Sequence, residues 1–151
     1  MAALSCESTV TIARAAADVF PWLLDADKVA RWVTGLEVYE PAGGGPVELG
    51  TRIHEELVVS GHRLRFEMQV TRLDPPREAE QSFEGSGFRA RNHYLVAETG
   101  AGSRVTWTIA GETTSFSARM LAPMVQARLQ DKLDGDLARL RALLEDEAAA
   151  A

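Results

Sequence analysis

The feature that most constrains this chain is a change of hydrophobic period between Glu112 and Ala122. Upstream, apolar and polar residues alternate. The stretch RLRFEMQV, Arg63 to Val70, places Leu64, Phe66, Met68 and Val70 on one face of an extended strand. Arg63, Arg65, Glu67 and Gln69 fall on the other face. The same alternation runs through TRIHEELVV, REAEQSFE, FRARNHYLVAE and RVTWTIAGE. Downstream, Val125, Leu129, Leu133, Leu137, Leu140 and Leu144 recur at steps of four and three. That spacing predicts one long amphipathic helix from about Ala122 to Glu145, with Pro123 in its first turn, where a missing N–H costs little.

Turn residues divide the alternating region. Ser60-Gly61 reads as a tight hairpin, Asp74-Pro75-Pro76 ends the next strand, and GSG and TGAGS separate the last three. The first forty residues read differently. Thr9 to Ala13 is a short strand; Ala16 to Leu24 has helical spacing but is bent at Pro21. Asp27 is placed to cap a second short helix, KVARWV, that ends near Gly35. The strand LEVYE and the flexible loop PAGGGPVELG follow.

The order is thus one strand, two short helices, about six consecutive strands in an antiparallel meander, and one long helix. This is an α+β architecture. A curved sheet has a dry concave face that must be covered. Only one long helix is available, so covering leaves a gap, expected widest at the end under the two short helices. Such a gap is a natural pocket for an apolar ligand.

The length of 151 residues fits one domain spanning residues 1–151. A net charge of −6 argues against a nucleic-acid partner, although Arg63, Arg65, Arg89 and Arg91 fall on strands and could form a local patch. The single cysteine, Cys6, excludes an intrachain disulfide and sits near an expected frayed start. No signal peptide is evident, and the apolar runs are too short to span a bilayer. A cytoplasmic monomer or homodimer is expected.

The element order resembles the helix-grip fold shared by START domains, birch-pollen-type allergens and bacterial polyketide cyclase/dehydrase-like proteins, together the SRPBCC superfamily. VTIARAAADVFPWLLDADKVARWVTGLEVYE resembles its opening strand, helix pair and tryptophan before the second strand. GTRIHEELVVSGHRLRFEMQVTRLDPPR resembles its hairpin with a proline corner. GSRVTWTIAGE and MLAPMVQARLQDKLDGDLARLRALLE resemble the last strand and closing helix. The resemblance implies a curved sheet of about seven strands around a C-terminal helix, with an apolar cavity between them. It does not imply one reaction, because the fold hosts carriers, cyclases, hydrolases and regulators.

The candidate site follows from strand phase. The rows in phase with Leu64–Val70 are Ile53, Glu55, Leu57, Val59; Ala79, Gln81, Phe83; Ala90, Asn92, Tyr94, Val96; and Val105, Trp107, Ile109. Glu55, Gln81 and Asn92 interrupt these apolar rows, and a few polar groups in an apolar pocket orient its ligand. Phe66 and Met68, mid-strand, are expected to touch a ligand together with Leu57, Phe83 and Trp107, whereas Val70 is assigned to packing. Trp32 is a candidate for the pocket mouth, and Met124 for an adaptable wall on the helix. The Tyr94 hydroxyl could reach a ligand carbonyl. Glu55, Asn92 and Tyr94 are therefore the candidates for proton transfer if the protein is an enzyme.

Asp136 falls about 40° from the centre of the helix stripe at 100° per residue, which reads as a narrowing of that stripe, the alternative being a pocket carboxylate. No metal site is expected: His54, His62 and His93 lie on separate strand segments, and only a hairpin approach of His54 to His62 is conceivable. No GxSxG elbow occurs, and GSGFRA opens a strand rather than a helix, so no cofactor is implied. Three functions are compatible with this reading. The default is a carrier of a hydrophobic or aromatic molecule, lipid- or polyketide-like. The alternatives are a polyketide cyclase/dehydrase-type enzyme and a regulator whose groove binds a partner.

Overall fold

Seven strands form one antiparallel sheet. The computed structural model describes residues 2–150. The strands are β1 (Ala3–Ile12), β2 (Leu36–Pro41), β3 (Arg52–Val59), β4 (His62–Asp74), β5 (Glu78–Gly85), β6 (Phe88–Thr99) and β7 (Gly102–Thr113). The meander from β2 to β7 is the one the alternation predicts, and β1 closes the order by pairing with β7. Ser60 and Gly61 turn the β3–β4 hairpin with φ of 50° and 80°. Two successive positive φ values match the right-handed twist of the flanking strands, and Gly61 adopts its value without strain. Register shifts at Leu36/Val38 and Val70/Arg72 bend the sheet.

β1 is longer than the sequence suggests. It pairs without interruption from Ala3 opposite Glu112 to Ile12 opposite Ser103. Leu4 and Cys6 are buried in it, so Cys6 is a core residue and not part of a frayed end. Short helices follow: α1 (Ala16–Val19), α2 (Pro21–Leu24) and α3 (Ala26–Trp32). The expected bend at Pro21 is a break, with Pro21 opening α2. Asp25, not Asp27, precedes α3, and Asp27 lies in its first turn.

The long helix α4 runs from Phe116 to Ala150, 35 residues. It begins before Ala122 because Ser115 caps it: Ala118 N–H donates to Ser115 Oγ at 3.2 Å. Pro123 is consequently inside the helix and not in its first turn. Gly87, at φ 84°, lets the β5–β6 turn approach this capped end, since a Cβ there would lie 2.6 Å from Ala118 Cβ.

The sheet wraps α4 in the expected helix-grip arrangement, and two clusters fill the interior. One joins the C-terminal half of α4 (Leu133, Leu137, Leu140, Leu144) to Trp22, Leu23, Trp32, Ile12 and Val105. The other joins Ala118 and Ala122 to Leu4, Ile53, Leu57, Phe66, Met68, Val70 and Phe88. No described helix is long and apolar enough to cross a membrane.

Candidate functional site

Between the two clusters lies a cavity of about 90 Å³. The sheet supplies Glu55, Leu57 and Val59 from β3, Leu64 and Phe66 from β4, and Phe83 from β5. Phe88, Ala90 and Asn92 of β6 and Trp107 and Ile109 of β7 complete that wall. The helix supplies Val125, Leu129, Lys132 and Leu133. Leu4 and Val33 close the sides; neither stands out in sequence, because one lies near the terminus and the other ends a short helix.

The opening is not at the end the gap argument predicts. A groove of about 240 Å³ shares Val59, Leu64, Phe88, Val125 and Leu129 with the cavity. It leads outward between the β3–β4 hairpin, Ser86 of the β5–β6 turn, and Leu121, Met124 and Arg128 of α4. The short-helix end is closed because large rings fill it. Trp32 is fully buried, donates its indole N–H to the Trp22 carbonyl at 2.7 Å, and meets Trp107 edge-on at 5.4 Å. Trp32 is therefore a plug rather than part of a mouth, and Trp107 shields it from the cavity.

Of the sequence-predicted residues, Glu55, Leu57, Phe66, Phe83, Asn92 and Trp107 line the cavity. Phe66 and Phe83 meet edge-on with centroids 4.9 Å apart. Met124 lines the outer groove instead. Met68 is 3% exposed, belongs to the cluster that includes Ile53 and Val70, and is not among the residues lining the cavity. Gln81 faces inward but its Nε2 donates to the Tyr39 hydroxyl at 3.1 Å, away from the cavity. Tyr94 is buried and stacked on Trp107 at 5.6 Å, which places it behind the cavity wall. Val70 is pure packing, as expected.

Three polar residues line the apolar space, Asn92 and Glu55 from the sheet and Lys132 from the helix. Asn92 Oδ1 accepts from Trp107 Nε1 at 3.1 Å. An indole nitrogen can only donate, so this contact fixes the amide and leaves Asn92 Nδ2 as a donor for the cavity. Glu55 lies between Tyr39 and Phe66 on the flanking strands. Its carboxylate has no hydrogen-bond or ion-pair partner among the described residues. The nearby Tyr39 hydroxyl is already engaged: it donates to the Leu24 carbonyl at 3.0 Å. Desolvation raises the Glu55 pKa to about 7, opposed by the positive charge of Lys132.

Lys132 is the polar lining residue that sequence reasoning passed over. Its ammonium donates to the Thr34 carbonyl at 2.8 Å and pairs with Asp136 one turn along. Asp136 is 1% exposed and also accepts from the Thr34 hydroxyl at 2.7 Å. The position read as a narrowing of the stripe is thus a buried anchor between α4 and the segment after α3. The i, i+4 spacing of Lys132 and Asp136 was the available signal. The histidines lie elsewhere, with His54 between Glu56 and Glu67 and His93 on Glu78.

Residues 3–145 match the sequence profile of a family described as polyketide cyclase / dehydrase and lipid transport. The chain belongs to this family. Among solved structures, the Zhui aromatase/cyclase from Streptomyces sp. R1128 superposes with a TM-score of 0.83 at 17% identity, covering 97% of this chain and 96% of that one. TTHA0849 from Thermus thermophilus gives 0.76 at 20% identity, covering 97% and 99%. Ara h 8.0201 gives 0.69 at 16% identity, covering 96% and 99%. No curated protein sequence matches the chain significantly. The family match and these neighbours place the fold in the SRPBCC superfamily.

Proposed function

We propose that the protein binds a hydrophobic or aromatic small molecule, lipid- or polyketide-like, between its sheet and α4. The observation that carries this reading is an apolar cavity into which the sheet presents two groups without a protein partner, the Glu55 carboxylate and the Asn92 amide nitrogen. A filled core would have given the Glu55 carboxylate and Asn92 Nδ2 protein partners. Asn92 Nδ2 suits a ligand carbonyl, and Glu55 suits a hydroxyl or, when protonated, a second carbonyl. A cytoplasmic carrier is the simplest form of this reading. Its test is titration with the uncharged fluorophore 1-anilinonaphthalene. Saturation at one molecule per chain is expected, with affinity altered by Phe66→Ala; no saturable binding would reject the reading.

A second reading has its own support. A carboxylate whose pKa is raised to about 7, in a cavity that also holds an amide donor, can move a proton in a family that includes cyclases and dehydrases. Glu55 would take a proton from a carbon flanked by two carbonyls, and Asn92 Nδ2, three strands away, would hold a further carbonyl of the chain. Glu55→Gln then abolishes turnover of a poly-carbonyl substrate while binding survives. In this arrangement Tyr94→Phe has little effect, because Tyr94 stands behind the wall.

A further inference from the structure

The cavity of about 90 Å³ is smaller than the roughly 300 Å³ at which ligand pockets begin, so a bound molecule must continue into the groove. The groove's walls are apolar on the inside, through Val59, Leu64, Phe88, Val125 and Leu129. Its outer rim is polar, and its formal charges, on Arg63 and Arg128, are positive. His62 and Arg63 stand on the hairpin side and Arg128 on the helix side, and no acidic residue lines it.

This sign runs against the rest of the chain. The sequence holds 22 acidic residues against 16 Lys and Arg, yet α4 from Phe116 to Gln130 carries Arg119 and Arg128 and no acid. Seven of the fourteen arginines pair with a carboxylate, and what sets Arg128 apart is its place at the groove. Arg63 pairs with Glu37, Arg65 with Glu56 and Arg89 with Glu84. Arg128 has no hydrogen-bond or ion-pair partner among the described residues, and it is exposed at the rim. An unpaired guanidinium at the mouth of an apolar channel is complementary to one kind of molecule.

We infer that the ligand is an amphipathic anion: its apolar body lies in the cavity and groove, and a carboxylate or phosphate sits at the rim against Arg128, across the groove from His62. A guanidinium fork binds either oxyanion through paired N–H donors. This rests on the cavity reading and adds the polarity and orientation of the ligand. The molecule enters apolar end first, leaving its charged head in water.

The test compares two fluorophores that differ by one charged group, 1-anilinonaphthalene and 1-anilinonaphthalene-8-sulfonate. Arg128→Gln should weaken the sulfonate about fivefold or more at low salt and change the uncharged parent less than twofold. Arg119→Gln, on the same helix half but outside the groove, should change neither. Equal effects of Arg128→Gln on both probes, or none on the sulfonate, would overturn the inference while leaving the cavity reading intact. Failure of both probes to bind the unsubstituted protein would overturn both. Displacement of the uncharged probe by decanoate, decyl phosphate and decanol then identifies the head group. The stronger of the two anions names it, and decanol competing as well as either overturns the inference.

Discussion

The two halves of α4 face the same sheet and meet opposite interiors. In the C-terminal half, Leu133, Leu137, Leu140 and Leu144 are all essentially inaccessible, packed against Trp22, Trp32, Ile12 and Val105. In the N-terminal half, Val125 and Leu129 border a hollow, and Phe116, Met120, Leu121 and Met124 are exposed on its outer side. The helix does not cause the difference. What changes is the opposing layer: three short helices bring two tryptophans to one half and nothing comparable to the other. A solid half holds the fold, and that leaves the other half free to stay open.

The most severe way to break this comparison is to truncate matched leucines. Leu137→Ala should cost about 3–5 kcal/mol, and Leu129→Ala no more than about 1.5 kcal/mol, because the second adds to a space that already exists. Urea denaturation measures both, and equal costs would show that the halves are alike. Next comes the charge held in the open half. Glu55 has its pKa raised from 4.5 to about 7, so the folded state binds more protons than the unfolded state between those values. Stability therefore falls as pH rises through that window and levels off above it. Glu55→Gln should remove the slope and stabilise the protein by about 3 kcal/mol at pH 8, with little effect at pH 4. Denaturant midpoints at the two pH values check this, and a parallel shift at both would contradict it.

Smaller effects sharpen the boundary. Asp136→Asn leaves the Lys132 ammonium without its counter-charge and should cost about 1–3 kcal/mol in thermal unfolding. Least of all, Phe116→Ser should change stability by under about 0.5 kcal/mol, since that side chain is 78% exposed.

Sequence periodicity disclosed the sheet, its inward rows and the gripping helix, because period two and period 3.6 are local signals. It placed Glu55, Leu57, Phe66, Phe83, Asn92 and Trp107 on the inner face, and all six line the cavity. It misplaced Trp32, Met68, Gln81 and Tyr94, which share that face or its end but sit where other elements pack. Which stretch of an inward face stays open depends on what lies opposite, and that is a property of the assembled layers. The mouth was assigned to the wrong end for the same reason: short helices looked like weak cover, yet they deliver the largest rings. Leu4, Val33 and Lys132 were missed because each belongs to a terminus, a helix end or a polar step on the helix.

The most direct test of a hollow, ligand-binding half is Ala90→Leu on β6, which adds volume to the cavity wall. In a hollow, the larger side chain fills space: stability in urea should hold or rise, and binding of 1-anilinonaphthalene should be lost. In a solid interior, the same change would cost about 1–3 kcal/mol through overpacking and leave binding unaltered, contradicting the account.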